Sequence, residues 1–360
     1  MTEIFVFIAG LLALIAGAEA LVRGASRLAL SLGLSPLVVG LTVVAFGTSS
    51  PELAVSVGAV LDGRNDIAVG NVVGSNIFNL LVILGLSALV APLVVHAQVI
   101  RQEVPIMLGA SLLLVVMSLD GRIGTFDAAL LFALIVAYTV FLVVQARRQT
   151  QAVAAEFEAA LPAGGRWLSR LPVQLALIGA GLALLVVGSG WLVDAATVFA
   201  RALGVSDLVI GLTIVAAGTS LPELATSAMA ALRGERDIAV GNAIGSCTFN
   251  ILGCLGVSGL VASGGLQVAP SVVNFDAWVM LAAAFACVPV VISGREIARW
   301  EGGLFLAYYV AYVTYLALAA RQHDALPAFS QAVLSFAAPL TIVTLVIVLL
   351  RPQAAGGAGK

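Results

Sequence analysis

Charge is scarce in this chain. Of its 360 residues only 10% are Asp, Glu, Lys or Arg, two are His, three are Cys and 7% are aromatic. Each shortage closes off a class of chemistry. Seventeen Lys and Arg against 19 Asp and Glu leave a formal net charge of -2, too little of either sign to grip nucleic acid or an anionic macromolecule. Cys247, Cys254 and Cys287 are odd in number, lie in apolar stretches and form no CxxC or Cys/His pairing. Neither a disulfide framework nor a zinc site is expected, and all three are read as buried thiols. With only His96 and His323 as imidazoles, a His-rich transition-metal centre is excluded too. Any ligand chemistry falls to oxygen, and no cofactor is expected.

What the chain has in abundance is apolar surface. At 61% hydrophobic residues and a mean hydropathy of +1.12 it cannot hide that surface in one water-soluble core, so the lipid bilayer is its solvent. Apolar runs long enough to cross the hydrocarbon layer fall at roughly 3-21, 35-61, 67-93, 103-119, 126-144, 172-193, 206-232, 237-262, 272-293, 302-320 and 328-350. The expected fold is therefore all-α, a polytopic membrane protein of about eleven spans. The first run ends near Ala18-Glu19-Ala20 like a secretory signal, but no Lys or Arg precedes it and residues 174-192 are apolar in the same way. It is read as a retained helix.

Direction follows from the bases in the connections. With the N-terminus outside, the inner connections hold Arg23, Arg27, Arg101, Arg147, Arg148, Arg166, Arg170, Arg233, Arg236, Arg295, Arg299, Arg351 and Lys360, and the outer ones Arg64, Arg122, Arg201 and Arg321. Thirteen against four places the C-terminus and the longest connection in the cytoplasm of a cell-membrane protein.

The chain also repeats itself. Residues 34-85 and 205-256 align without a gap at an offset of 171 (205 minus 34), with 32 of 52 positions identical. The expected organisation is a first five-helix repeat over 1-144, a polar cytoplasmic linker over 145-170, a second repeat over 171-320, and an extra helix and tail over 321-360. Five spans is an odd number, so the second repeat enters the membrane facing the other way, and a pseudo-two-fold axis in the membrane plane brings equivalent residues together at mid-membrane.

Both copies carry Gly-Thr-Ser-x-Pro-Glu, at Gly47-Thr48-Ser49-Ser50-Pro51-Glu52 and Gly218-Thr219-Ser220-Leu221-Pro222-Glu223. Proline lacks an amide hydrogen and clashes with the preceding turn, so each helix should kink or break here. Polar backbone laid open in hydrocarbon is tolerated only where a cation, water or another helix answers it. Thr48, Ser49, Thr219 and Ser220 add hydroxyls, and Glu52 and Glu223 fall in the first turn of the continuing half-helix, whose positive end favours the ionised carboxylate. One helix later come Gly70-Asn71-Val72-Val73-Gly74-Ser75-Asn76-Ile77-Phe78-Asn79 and Gly241-Asn242-Ala243-Ile244-Gly245-Ser246-Cys247-Thr248-Phe249-Asn250. Spacings of four put Asn71, Ser75 and Asn79 on one helical face, and the glycines allow close approach. Small-residue runs in membrane helices are often mere packing surfaces. Buried carboxylates at equivalent positions, each costing about 2.5-3.5 kcal/mol on insertion scales, make packing alone a poor explanation of both motifs occurring twice in order.

Glu19 and Arg23, four apart, are expected to pair; Asp66 and Asp237 look like helix-start residues, and Pro105, Pro289 and Pro339 like kinks.

On these motifs the chain resembles the cation/calcium antiporter superfamily, and most closely the prokaryotic sodium/calcium exchangers. The resemblance implies export of Ca2+ in exchange for Na+ by alternating access. It implies that Glu52 and Glu223 bind Ca2+ with main-chain oxygens of Thr48 and Thr219. It further implies that Na+ uses the same glutamates with oxygens of Ala45, Ser49, Ser75, Ala216, Ser220 and Ser246. Asn79 and Asn250 match positions flanking the middle of the site, where related exchangers can carry Asp in place of Asn250. Many flexible oxygen ligands suit Ca2+ rather than Mg2+. Two ionised glutamates are balanced by one Ca2+, two Na+ or two protons, so a Ca2+/H+ exchanger on the same fold is the alternative. A channel would lack the need for inverted repeats, and an intramembrane hydrolase would need a Lys or His at matching depth to activate a serine. No enzyme is expected, and the partners are the ions and the lipid bilayer, with no obligatory protein partner evident.

Overall fold

A computed structural model describes residues 2-32, 34-158, 170-202, 216-292, 295-320 and 322-350. The described residues are helical almost throughout. It opens with α1 (Thr2–Leu32), then the bent pair α2 (Pro36–Thr48) and α3 (Ser50–Leu61), α4 (Asn65–Val90), α5 (Val99–Ser118) and α6 (Thr125–Glu158). The second half runs α7 (Leu171–Ala202), α8 (Ala216–Thr219), α9 (Leu221–Leu232), α10 (Arg236–Val261), α11 (Val272–Ile292) and α12 (Arg299–Ala320). The last helix comprises α13 (Leu326–Ala332), a π-helical turn and α14 (Ala338–Leu350). Among the described residues nine helices are long and apolar enough to cross a membrane, and α2 with α3 makes a tenth span if that pair is one. The first part of the expected seventh span, 203-215, lies outside the described residues, as do 159-169 of the expected linker. Large apolar side chains such as Phe5, Leu12, Val140, Phe285 and Val310 are exposed on the outer helices, the surface a lipid solvent requires.

Two expectations change. Residues 145-158, read as solvated linker, continue α6. Their polarity ends the apolar run, but Gln, Ala, Arg and Glu are good helix formers and neither Gly nor Pro intervenes before Pro162. The fourth span begins at Val99 rather than 103, because Arg101, Gln102 and Glu103 lie inside the helix in a π-helical turn. Glu103 there is fully buried and accepts hydrogen bonds from Tyr138 Oη at 2.6 Å, Gln98 Nε2 at 3.0 Å and Gln102 Nε2 at 2.7 Å. Pro105 and Pro339 each follow a π-helical turn, and Pro289 lies inside α11.

The repeat-related helices α1 and α7 pack face to face. A Cβ built on Gly10 would lie 2.8 Å from Gly188 O, and one on Gly17 would lie 2.8 Å from Gly181 O. Gly24 meets Gln174 O in the same series, so the partner number falls as the first rises and the two helices run antiparallel. Only glycine permits backbones this close. Further reciprocal contacts join the halves. Strand β1 (Leu93–Val94) pairs antiparallel with β4 (Glu296–Ile297), and β2 (Arg122–Ile123) with β3 (Leu266–Gln267). At the β1/β4 end His96 Nε2 lies 3.3 Å from Asp237 Oδ2, in the first turn of α10. Glu19 pairs with Arg23 at 2.6 Å, as expected, and also with Arg233 from the turn after α9. At the β2/β3 end Asn65 Nδ2 donates to Gly265 O at 3.4 Å. The turns Asp62-Gly63-Arg64 and Arg233-Gly234-Glu235 each use a glycine at positive φ, 75° and 78°, a conformation costly for any residue with a Cβ.

Candidate ion-binding site

Each Gly-Thr-Ser-x-Pro-Glu motif breaks its helix at its third residue, the serine shared by both copies. Ser49 has φ -83° and ψ 7°, between α2 and α3, and Ser220 has φ -90° and ψ 8°, between α8 and α9. Pro51 and Pro222 take the second position of the new half-helix, where a missing amide hydrogen costs nothing. The axes of α2 and α3 differ by 41°. Glu52 and Glu223 follow directly, in the first turns of α3 and α9, and both are fully buried.

The two motifs meet. Ser49 Oγ donates to Glu223 Oε1 at 2.8 Å, and Ser220 Oγ donates to Glu52 Oε1 at 2.9 Å. Each serine thus serves the glutamate of the other repeat. The second oxygen of each carboxylate, Glu52 Oε2 and Glu223 Oε2, is buried without a hydrogen-bond partner. So are Ser75 Oγ and Ser246 Oγ from the second motif, and both amide atoms of Asn79. Buried polar atoms are nearly always satisfied, and a carboxylate oxygen left bare is the most costly of them. Five of these atoms, on five residues, are oxygens (two carboxylate, two hydroxyl and the amide oxygen of Asn79), hard ligands of the kind that alkali and alkaline-earth cations take.

The second motif lies on α4 and α10, the two most enclosed of the candidate spans among the described residues. Asn79 and Asn250, 171 apart, each begin a π-helical turn, Asn79–Ile83 and Asn250–Cys254. π turns cluster at functional sites because the extra residue redirects a side chain. Of the expected face on α4, Asn71 turns elsewhere: its Nδ2 donates to Glu52 O at 3.3 Å and Ser56 Oγ at 3.1 Å. On α10, Asn242 Nδ2 repeats this with Glu223 O at 3.2 Å and Ser227 Oγ at 2.9 Å. These four residues brace the half-helices, and sequence reasoning passed over Ser56 and Ser227 although they are identical between the repeats. Thr48 Oγ1 lies 3.0 Å from Asn242 Oδ1, crossing between repeats. The carbonyl of Ala45 accepts the Ser49 amide at 3.0 Å. Thr219 ends α8, which Ala216 begins, and no side-chain geometry is described for Ala216. Asn250 Nδ2 donates to Asn76 Oδ1 of the other repeat at 3.2 Å. The three cysteines are free and buried, as expected.

Comparison with known proteins extends this picture. A family model described as sodium/calcium exchanger protein matches residues 2-144 and 173-318. Inner membrane protein YrbG of Escherichia coli (strain K12) is 43% identical over 244 residues, covering 67% of this chain and 73% of its own. Sodium/calcium exchanger MaX1 of Methanosarcina acetivorans is 34% identical over 306 residues, covering 76% of this chain and 87% of its own. A solved structure of the sodium-calcium exchanger NCX_Mj, soaked with Na+ and Ca2+, superposes with a TM-score of 0.74 at 32% identity, covering 87% of this chain and 98% of that one.

Proposed function

Because the chain belongs to the sodium/calcium exchanger protein family, we propose that it is a Na+/Ca2+ antiporter that exports Ca2+ against Na+ entry at a site shared by its two repeats. The observation that carries this is the crossed pair of hydrogen bonds, Ser49 to Glu223 and Ser220 to Glu52, which leaves one bare oxygen on each buried glutamate. Two carboxylates facing one another in a dry interior need positive charge between them. Glu52 and Glu223 hold Ca2+ as substrate, and the hydroxyls of Ser75 and Ser246 with the amide oxygen of Asn79 complete an oxygen shell. Thr48, Thr219, Ser49, Ser220, Ala45 and Ala216 line the broken segments from which Na+ draws its oxygens.

The repeats are inverted across the membrane, with the N-terminus outside and the C-terminus cytoplasmic, and exchange proceeds by alternating access between two related packings. The antiparallel run of α1 and α7 supports the inversion. The boundaries 1-144 and 171-320 describe the two halves; 321-360 lies outside them.

The driving ion is tested by Ca2+ uptake into proteoliposomes under separately imposed gradients. An outward Na+ gradient at clamped pH is expected to drive uptake. Uptake that ignores Na+ and follows a proton gradient instead would assign the chain to Ca2+/H+ exchange.

A further inference from the structure

Buried hydroxyls in these helices commonly bond to their own backbone. Ser111, Ser118 and Thr248, all buried, donate to the carbonyls of Met107, Leu114 and Ile244, each four residues back. Ser87 on α4 and Ser258 on α10 do not follow them. Both are fully buried, and among the described residues neither hydroxyl has a hydrogen-bond partner. They are equivalent in the two repeats, at the same offset of 171 (258 minus 87), and each lies 12 residues past the serine of its second motif (87 minus 75, 258 minus 246).

The π turns bring these serines into line. Twelve residues of plain α-helix would carry Ser87 about 120° round α4 from Ser75. The turn Asn79–Ile83 takes up one extra residue. That returns Ser87 to within about 20° of the Ser75 face, roughly 17 Å farther along the axis. Asn250–Cys254 does the same for Ser258 and Ser246.

Nearby glycines fix the direction. Gly85, about 160° round the helix from Ser87, is held against α12, where its built Cβ would lie 2.9 Å from Gly302 O. Gly256, in the same relation to Ser258, meets Phe132 N of α6 at 2.8 Å. The serines therefore face the other way. Leu84–Val90 also packs against α9, and Leu255–Val261 against α3, the half-helices that carry Glu223 and Glu52 in their first turns. Because α4 ends beside β1 and α10 beside β3, Ser87 and Ser258 stand on opposite sides of the glutamates.

A buried hydroxyl without a partner costs free energy, and this pair brackets an ion site at equal distances. We propose that Ser87 and Ser258 are transit sites, one toward each face of the membrane, where the hydroxyl takes a place in the oxygen shell of a partly hydrated Na+ or Ca2+ on its way to or from the centre. This rests on the reading of Glu52 and Glu223 as the ion site. Ser87 serves the β1/β4 face and Ser258 the β2/β3 face.

The test is Ca2+ uptake far below saturation, into Na+-loaded right-side-out and everted membrane vesicles that hold the full-length protein. Ser87→Ala is expected to slow uptake about fivefold, the equivalent of one ordinary hydrogen bond, in the vesicles whose β1/β4 face meets the medium. Ser258→Ala is expected to do so in the opposite orientation only. Ser118→Ala removes a hydroxyl already bonded to Leu114 O and is expected to leave both rates unchanged. Equilibrium Ca2+ binding by the purified serine variants is expected to match wild type, because the central site is intact. Wild-type rates from both Ser87→Ala and Ser258→Ala, or equal losses in the two orientations, overturn the proposal. Weakened equilibrium binding overturns it as well, since the hydroxyl then belongs to the centre. A wild type that binds no Ca2+ overturns the ion-site reading itself, and the transit sites with it.

Discussion

Glu52 and Glu223 divide their oxygens between unlike tasks. One oxygen of each accepts a serine from the opposite repeat and the other is bare. The serine bond holds the carboxylate in one rotamer, so its loss should loosen the site rather than dismantle it. Hydrogen bonds to charged groups contribute about 1.5-3 kcal/mol. Ser49→Ala is therefore expected to raise the half-saturating Ca2+ concentration by at least about tenfold, and Ser220→Ala by a similar factor. Unequal effects, with one variant at wild-type affinity, would show that the two glutamates are not held equivalently. The glutamates, serines and asparagines were all legible as repeated letters. Which repeat each serves was not: one-dimensional spacing put Asn71 on the face of Ser75, whereas the close approach of α3 turns it to Glu52 O and Ser56. The contact between Asn250 and Asn76 of the other repeat appears only when the two helices are laid together.

At the scale of elements, glycine placement discriminates between packing and open surface. Gly181 on α7 has Gly17 O within 2.8 Å and Leu21 N within 2.7 Å of a built Cβ, whereas Gly190 on the same helix has nothing within 4 Å. Gly181→Ala is expected to destabilise the protein in detergent by about 1-3 kcal/mol, the usual cost of overpacking. Gly190→Ala should be neutral or slightly stabilising, since alanine is the better helix former. Thermal unfolding of the two variants checks this, and an equal loss from both would mean that the α1/α7 seam is not tight. The breaks at Ser49 and Ser220 were legible because proline writes them into the sequence. The π turns at Asn79–Ile83 and Asn250–Cys254 were not, because one extra residue in a turn leaves no trace in a run that is apolar on all sides. Polarity likewise misled at residues 145-158, where it marks the water's edge and not the end of α6.

Across the whole molecule, contacts between connections sort into two sets. The strand pair β1/β4 and the pair His96 with Asp237 join connections that strict alternation puts on one face. The strand pair β2/β3 and the bond from Asn65 to Gly265 join connections on the other. Which set faces the cytoplasm rests on the thirteen-to-four distribution of bases. Arg64 and Arg299 are exposed at the ends of helices on opposite sides. In intact cells a membrane-impermeant maleimide is expected to label Arg64→Cys and to spare Arg299→Cys until the membrane is opened. The reverse pattern would invert the topology without touching the site.

The shared site itself is tested most directly by counting bound Ca2+ on purified protein at equilibrium. Wild type is expected to lose high-affinity Ca2+ binding completely when either Glu52→Gln or Glu223→Gln is introduced, with the melting temperature kept close to its original value, because one ion spans both carboxylates. Retention of full binding by either variant, or of half the sites in each, would contradict a single site built from the two repeats.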